Sequence, residues 1–183
     1  MKKFKIIPFC IIMLLIYKGC RPISFATRNP ELLITMGDSL LLAHPDDTDL
    51  RTAIIDARLA LAKSKNSLDE YKKILEIDPK NSTARYHIYM AKGETDHKKG
   101  HKNGQWDAIQ SFAKAAATID TMGAPYYWTG RAYEKKDEMD FELPLESYDK
   151  ALSLYLSSEM RAKVKSARES LLQRKKTYED FWK

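Results

Sequence analysis

From residue 30 onward, apolar residues recur at intervals of three and four with little interruption, the period of one face of a helix. The pattern predicts helices near 30–43, 47–64, 66–77, 81–94, 104–120, 123–136, 142–157 and 158–181. Cap chemistry supports several of these starts. Asp46-Asp47 after Pro45, Asn66-Ser67 before Leu68, and Asn81-Ser82 all offer side-chain oxygens to the free N–H groups of a first turn. No stretch alternates apolar and polar residues as a half-buried strand does, and Asn103-Gly104 lacks the β-branched flanks of a hairpin. The last helix puts Met160, Val164, Ala167, Leu171, Leu172 and Tyr178 on one face and charges on the other. The predicted fold class is therefore all-α, built from helical hairpins.

The first residues follow a different pattern. Met1-Lys-Lys-Phe-Lys5 is basic and leads into Ile6 to Tyr17, an apolar run of 12 residues. As a helix that run spans roughly 18 Å, short of the about 30 Å of a bilayer core. A basic start and a short apolar run make residues 1–19 a predicted export signal, followed by a linker over 20–29. Gly19-Cys20 then resembles the lipobox of bacterial lipoproteins, which implies lipid attachment at Cys20 and an envelope protein anchored to a membrane. Tyr17 and Lys18 stand where that family has small aliphatic residues. Ser24-Phe25-Ala26 offers a second cleavage point, which would release a secreted or periplasmic protein, and an uncleaved anchor is the third reading.

Three of the predicted helices share a motif: Ser67-Leu-Asp-Glu-Tyr71, Ala108-Ile-Gln-Ser-Phe112 and Pro144-Leu-Glu-Ser-Tyr148, each followed by small or aliphatic residues. In the helix before the third, Tyr126, Gly130 and Tyr133 form an aromatic–glycine–aromatic series. Ile77-Asp78-Pro79-Lys80-Asn81 reads as a turn between units. Here the chain resembles the tetratricopeptide repeat, a helix–turn–helix unit of about 34 residues. The aromatic residues are 41 and 36 apart, so excesses of seven and two are needed. The resemblance divides residues 30–183 into repeats over about 48–81, 82–121 and 122–156 and a capping helix over 158–181. It implies hairpins stacked into a right-handed superhelix, because one hairpin cannot bury its apolar stripe alone. Departures include Ile55, Arg58 and Tyr89, which stand where the family has small residues or tyrosine. The seven-residue excess falls on Gly93 to Gly104, predicted to be a basic surface loop with Lys98, Lys99, His101 and Lys102.

Charge and composition narrow the function classes. Lys plus Arg number 31 against 25 Asp plus Glu. Four of the bases lie in the first 19 positions, which hold no acid, so the remainder has 27 bases and a charge of only +2. That balance argues against a general nucleic-acid binder. Cys10 and Cys20 are the only cysteines, so residues 30–183 hold no disulfide, no thiolate zinc site and no thiol nucleophile.

Two motifs bear on catalysis and metal binding. Gly37-Asp38-Ser39-Leu40 matches the signature of GDSL hydrolases, where the serine follows a strand and an Asp-x-x-His supplies the base. None of His44, His87, His97 and His101 has an aspartate three residues before it, and the motif lies in a helical stripe, so no catalytic residue is assigned. His97 and His101 beside Asp96 could offer two imidazoles, but a loop does not assure their geometry, and neither metal nor cofactor is expected.

The resemblance implies a concave groove lined by the first helix of each unit, where protein segments or peptides bind. Carried over by position, the groove residues are Tyr86, Met90, Tyr127, Arg131 and Glu134. These types are frequent at interfaces, and they also serve ordinary helix packing. The expected function is a non-catalytic scaffold of the cell envelope with a protein or peptide partner, a lipid-mediated membrane contact, no nucleic acid and no small-molecule substrate. A serine esterase acting through Ser39 and a purely structural spacer are the alternatives.

Overall fold

A computed structural model describes residues 30–183. The predicted signal over 1–19, the linker and Cys20 lie outside the described residues. The described chain is all-α: α1 (Pro30–Ala43), α2 (Thr48–Lys65), α3 (Leu68–Ile77), α4 (Ser82–Lys98), α5 (Lys102–Thr118), α6 (Ala124–Lys136), α7 (Glu142–Ser153) and α8 (Ser158–Phe181). Among the described residues no helix is long and apolar enough to cross a membrane. The chain forms two compact units, one ending at Glu70 and the other running Tyr71–Lys183.

In the first unit α1 packs on α2. Gly37 makes the close approach possible, since a Cβ there would stand 3.3 Å from Ile54 Cγ2. Arg58 is buried and ion-paired to Glu70 at 2.8 Å, with Asp38 and the Ile34 carbonyl each at 3.4 Å. A buried guanidinium held by carboxylates thus occupies the place where the repeat pattern has tyrosine. Asp47 caps α2 by accepting from Leu50 N, and Asn66 ends it in the left-handed conformation (φ 50°).

In the second unit successive helices pack side by side, α4 on α5, α5 on α6, α6 on α7, and α7 on α8. The pairs α4–α5 and α6–α7 form two helical hairpins. Each uses the same joint: an aromatic ring of the second helix lies on a glycine of the first. A Cβ on Gly93 would meet the Phe112 ring at 2.5 Å, and one on Gly130 the Tyr148 ring at 2.6 Å. Phe112 and Tyr148 are fully buried. Around Phe112 gather Tyr86, Met90, Ala108, Ile109 and Ala115; around Tyr148 gather Tyr127, Ala151, Leu156, Val164 and Leu171. Trp128 packs against both groups.

Two expectations need correction. The segment 93–104 is not a loop: α4 continues to Lys98, α5 begins at Lys102, and only three residues connect them. Gly93 sits inside the helix because the Phe112 ring leaves no room for a side chain. The helix expected over 142–157 stops at Ser153, since Leu154 to Ser157 form an extended link. There Tyr155 N donates to Thr121 O and Gly123 N donates to Tyr155 O, both at 2.9 Å. Arg161 donates to the carbonyls of Leu152 and Leu154 at 2.9 and 3.0 Å, covering acceptors that the end of α7 leaves open.

Candidate functional site

The residues expected to line a groove separate into two sets. Tyr86 and Met90 are 6% and 8% exposed and belong to the Phe112 cluster, so they offer a partner little surface. Tyr127, Arg131 and Glu134 come together on α6, where they face Ala162, Lys163, Ser166, Ala167, Ser170 and Arg174 of α8 across a groove of about 650 Å³. The i, i+4 and i, i+7 spacing puts the three α6 residues on one stripe. The α8 residues follow the same periodicity, with small side chains between two cations.

Glu134 organises this groove. Its carboxylate accepts from the Tyr148 hydroxyl at the floor, from Arg174 Nη1 at 3.1 Å across the groove, and stands 3.9 Å from Arg131 Nε. Burial, followed by the bond to Glu134, pushes the Tyr148 hydroxyl far above its ordinary pKa and keeps it a donor. Burial opposes the charge of Arg131, but Tyr148, Tyr127 and Glu134 together raise its pKa and hold the guanidinium protonated. Arg131 and Arg174 remain about half exposed, and Lys163 is exposed with Glu159 at 2.7 Å. Glu134 is the one acid among three bases in the lining, and each of its oxygens already accepts a bond, from Tyr148 and from Arg174. The open donors therefore favour a carboxylate or a backbone carbonyl.

Sequence reasoning missed the α8 wall, having read its cations as the hydrated side of a cap. The signal was the series Lys163, Ser166, Ser170 and Arg174, a helical stripe of small residues between bases. It also missed Glu94 and His97 on α4 as groove counterparts. With Gly93 matched to Gly130, the positions equivalent to Tyr127, Arg131 and Glu134 are Met90, Glu94 and His97. Glu94 has a carboxyl pKa raised by burial, and Tyr86 beside it is pushed up to about 12 by burial and by the Glu94 charge.

The other candidate chemistry resolves into packing and caps. Ser39 is exposed in the third turn of α1, not at a strand-to-helix turn, while its neighbours Gly37 and Asp38 touch Ile54 and Arg58. His101 caps α5, with Nδ1 accepting from Gly104 N at 2.9 Å. His97 Nδ1 lies 2.6 Å from Gln105 Oε1 on α5, and the ring meets Trp128 edge-on. Both imidazoles thus use Nδ1 within the hairpin. Asp96 is buried and salt-bridged to Lys99 and Lys92, which hold its carboxyl below the usual range.

Burial holds His97 below the ordinary imidazole pKa, with Lys135 and Arg131 adding to the effect and the Gln105 bond opposing it. His87, stacked on Tyr71 at 4.5 Å, is lowered by burial alone. The unfolded chain therefore takes up these protons near the ordinary imidazole value of about 6.5, before the folded chain does. The stability they contribute is present above that pH and lost as pH falls through the folded values. The urea midpoint of the second unit, followed by tryptophan fluorescence, should drop between pH 7.5 and 5.5. His87→Phe with His97→Gln should flatten that drop; an unchanged slope would remove both groups as its cause.

No protein-family model matches this chain. No curated protein matches it. Among solved structures the chain is similar to two, both crystal structures of MamA. One is 16% identical over 85% of this chain and 94% of its own, the other 17% identical over 84% and 87%, each with a TM-score of 0.40.

Proposed function

We propose that this chain is a non-catalytic, tetratricopeptide-like scaffold that holds an acid-bearing segment of another protein in the groove between α6 and α8. The observation that carries the reading is the lining itself: Arg131, Lys163 and Arg174 around a carboxylate already engaged by Tyr148 and Arg174. Backbone carbonyls of the segment would meet Ser166 and Ser170, and its acids the three bases. Both walls are rigid helices packed on the Tyr148 cluster, so binding need not order the groove first, which limits its entropic cost.

An array of acid-rich, neutral and base-rich peptides tests the reading. Acid-rich peptides should be retained by the full chain, should dissociate as salt rises, and should bind at least tenfold less tightly after Arg131→Glu with Arg174→Glu. Equal binding by the variant, or no preference for acids, overturns it. We place this scaffold in the cell envelope, tethered through Cys20, on the basic start, the apolar run and Gly19-Cys20. A fatty-acid analogue should label the chain but not Cys20→Ala; an unlabelled parent chain sinks the tether.

A further inference from the structure

The groove leaves unexplained a second feature of α8. This helix has 24 residues and its neighbour α7 has 12, roughly 36 Å against 18 Å. Its buried stripe, Val164 and Leu171, continues through Tyr178 to Phe181 and Trp182, past the part that α7 supports. Beside those last turns stands the link between α6 and α7, which contributes Met139 and Phe141. Phe181 is 78% exposed, Trp182 70%, Met139 55% and Tyr178 39%. They converge: Phe141 and Tyr178 are 5.7 Å apart, Tyr178 and Trp182 6.1 Å, Phe181 and Trp182 5.3 Å. Together they line an apolar hollow of about 700 Å³. Scattered exposed apolar residues are ordinary, but a contiguous aromatic patch of this kind marks an interface.

We propose that this patch is the contact surface of a symmetric dimer, in which a second copy of the chain packs its own Tyr178, Phe181 and Trp182 into the hollow. The rim favours this occupant. Glu138 and Arg174 line the hollow, and Lys176, Glu179, Asp180 and Lys183 mix both signs at the end of the chain beside it, so a two-fold axis through the patch can set the acids of one copy against the bases of the other. An anionic lipid surface would call for a rim of one sign, and the acids beside the aromatic tip oppose it. The area agrees as well. Aromatic side chains bury about 150–250 Å² each when covered, so at these exposures the patch removes roughly 500 Å² per copy. The total of about 1,000 Å² falls below the about 1,200–2,000 Å² of stable interfaces, in the range of weak, transient ones. The dimer is therefore weak and concentration-dependent.

Sedimentation velocity of the full chain over a hundredfold concentration range tests this. The parent should move from monomer towards dimer, and Phe181→Ser with Trp182→Ser should remain monomeric with an unchanged helical circular-dichroism signal. A second variant does not depend on weakening anything. Phe181→Cys, in a background with Cys10→Ser and Cys20→Ser, should form an intermolecular disulfide under mild oxidation, because the axis passes near that side chain. A parent that stays monomeric, a dimer indifferent to both serines, or absence of the disulfide overturns the proposal. So does a monomer that floats with anionic vesicles through the same aromatic residues.

Discussion

Replacing Tyr148 with alanine is expected to lower the unfolding free energy of the second unit by about 3–5 kcal/mol, the range for a buried aromatic ring truncated in a core. The ring is fully buried, covers Gly130, and contacts elements from both sides: Tyr127 on α6, Ala151 on its own helix, and Val164 and Leu171 on α8. Its removal leaves a cavity that rigid helices close only in part. The hydroxyl contributes separately, and Tyr148→Phe isolates it. That variant keeps the packing and gives up one bond to Glu134, which Arg174 still holds, so about 0.5–1.5 kcal/mol is expected. Urea denaturation at neutral pH measures both. All three tryptophans, Trp106, Trp128 and Trp182, lie in this unit, so fluorescence reports on it directly. A loss below about 1 kcal/mol for the alanine variant would show that the ring is not the joint between hairpin and terminal helix.

Tyr148 also shows which parts of the fold can be read from sequence. An aromatic residue four after a small one, with a small pair following, is a local pattern, and Phe112 and Tyr148 lie buried where it puts them. Gly130 was legible because Tyr126 and Tyr133 flank it. Gly93 was not: Glu94, Thr95, Asp96 and the lysines after it are polar, and a glycine before a polar run reads as the start of a loop. What keeps that run helical is distant in sequence, namely the Phe112 ring on Gly93 and the Gln105 bonds to the His97 ring and carbonyl. Reading α4 as ending early moved its register and selected Tyr86 and Met90 as groove residues, where the structure has core. In the repeat over 122–156 Gly130 lies against the Tyr148 ring, and Tyr127, Arg131 and Glu134 line one groove with α8. The α8 wall could not be read from local pattern, because a basic stripe on a terminal helix looks the same whether it faces water or a neighbouring helix. Arg58 presents a similar limit. Its charge suggests the surface, and only the carboxylates of Glu70 and Asp38 make its burial tolerable.

The same joint yields a result whose sign depends on its partner. Gly130→Ala removes a poor helix former, which by itself favours the folded state by about 1 kcal/mol. In the parent chain, however, the new methyl would lie 2.6 Å from Tyr148 Cε1 and 2.9 Å from Cδ1, and the fully buried ring has no free space to move into. Such overpacking costs about 1–3 kcal/mol and occasionally more, so the single substitution should destabilise. In the Tyr148→Ala background the obstruction is gone and the cavity is open, so the same change should stabilise, by about the helix-propensity difference. Between residues in contact the non-additive term amounts to about 0.5–3 kcal/mol, and here the predicted reversal puts it at the upper end. Gly93→Ala against Phe112→Ala should behave alike, since the geometry repeats with a Cβ-to-ring distance of 2.5 Å. Four denaturation curves per joint decide the matter. If Gly130→Ala has the same sign and size in both backgrounds, glycine is present there for some reason other than the ring, and the common joint of the two hairpins is not the basis of their packing.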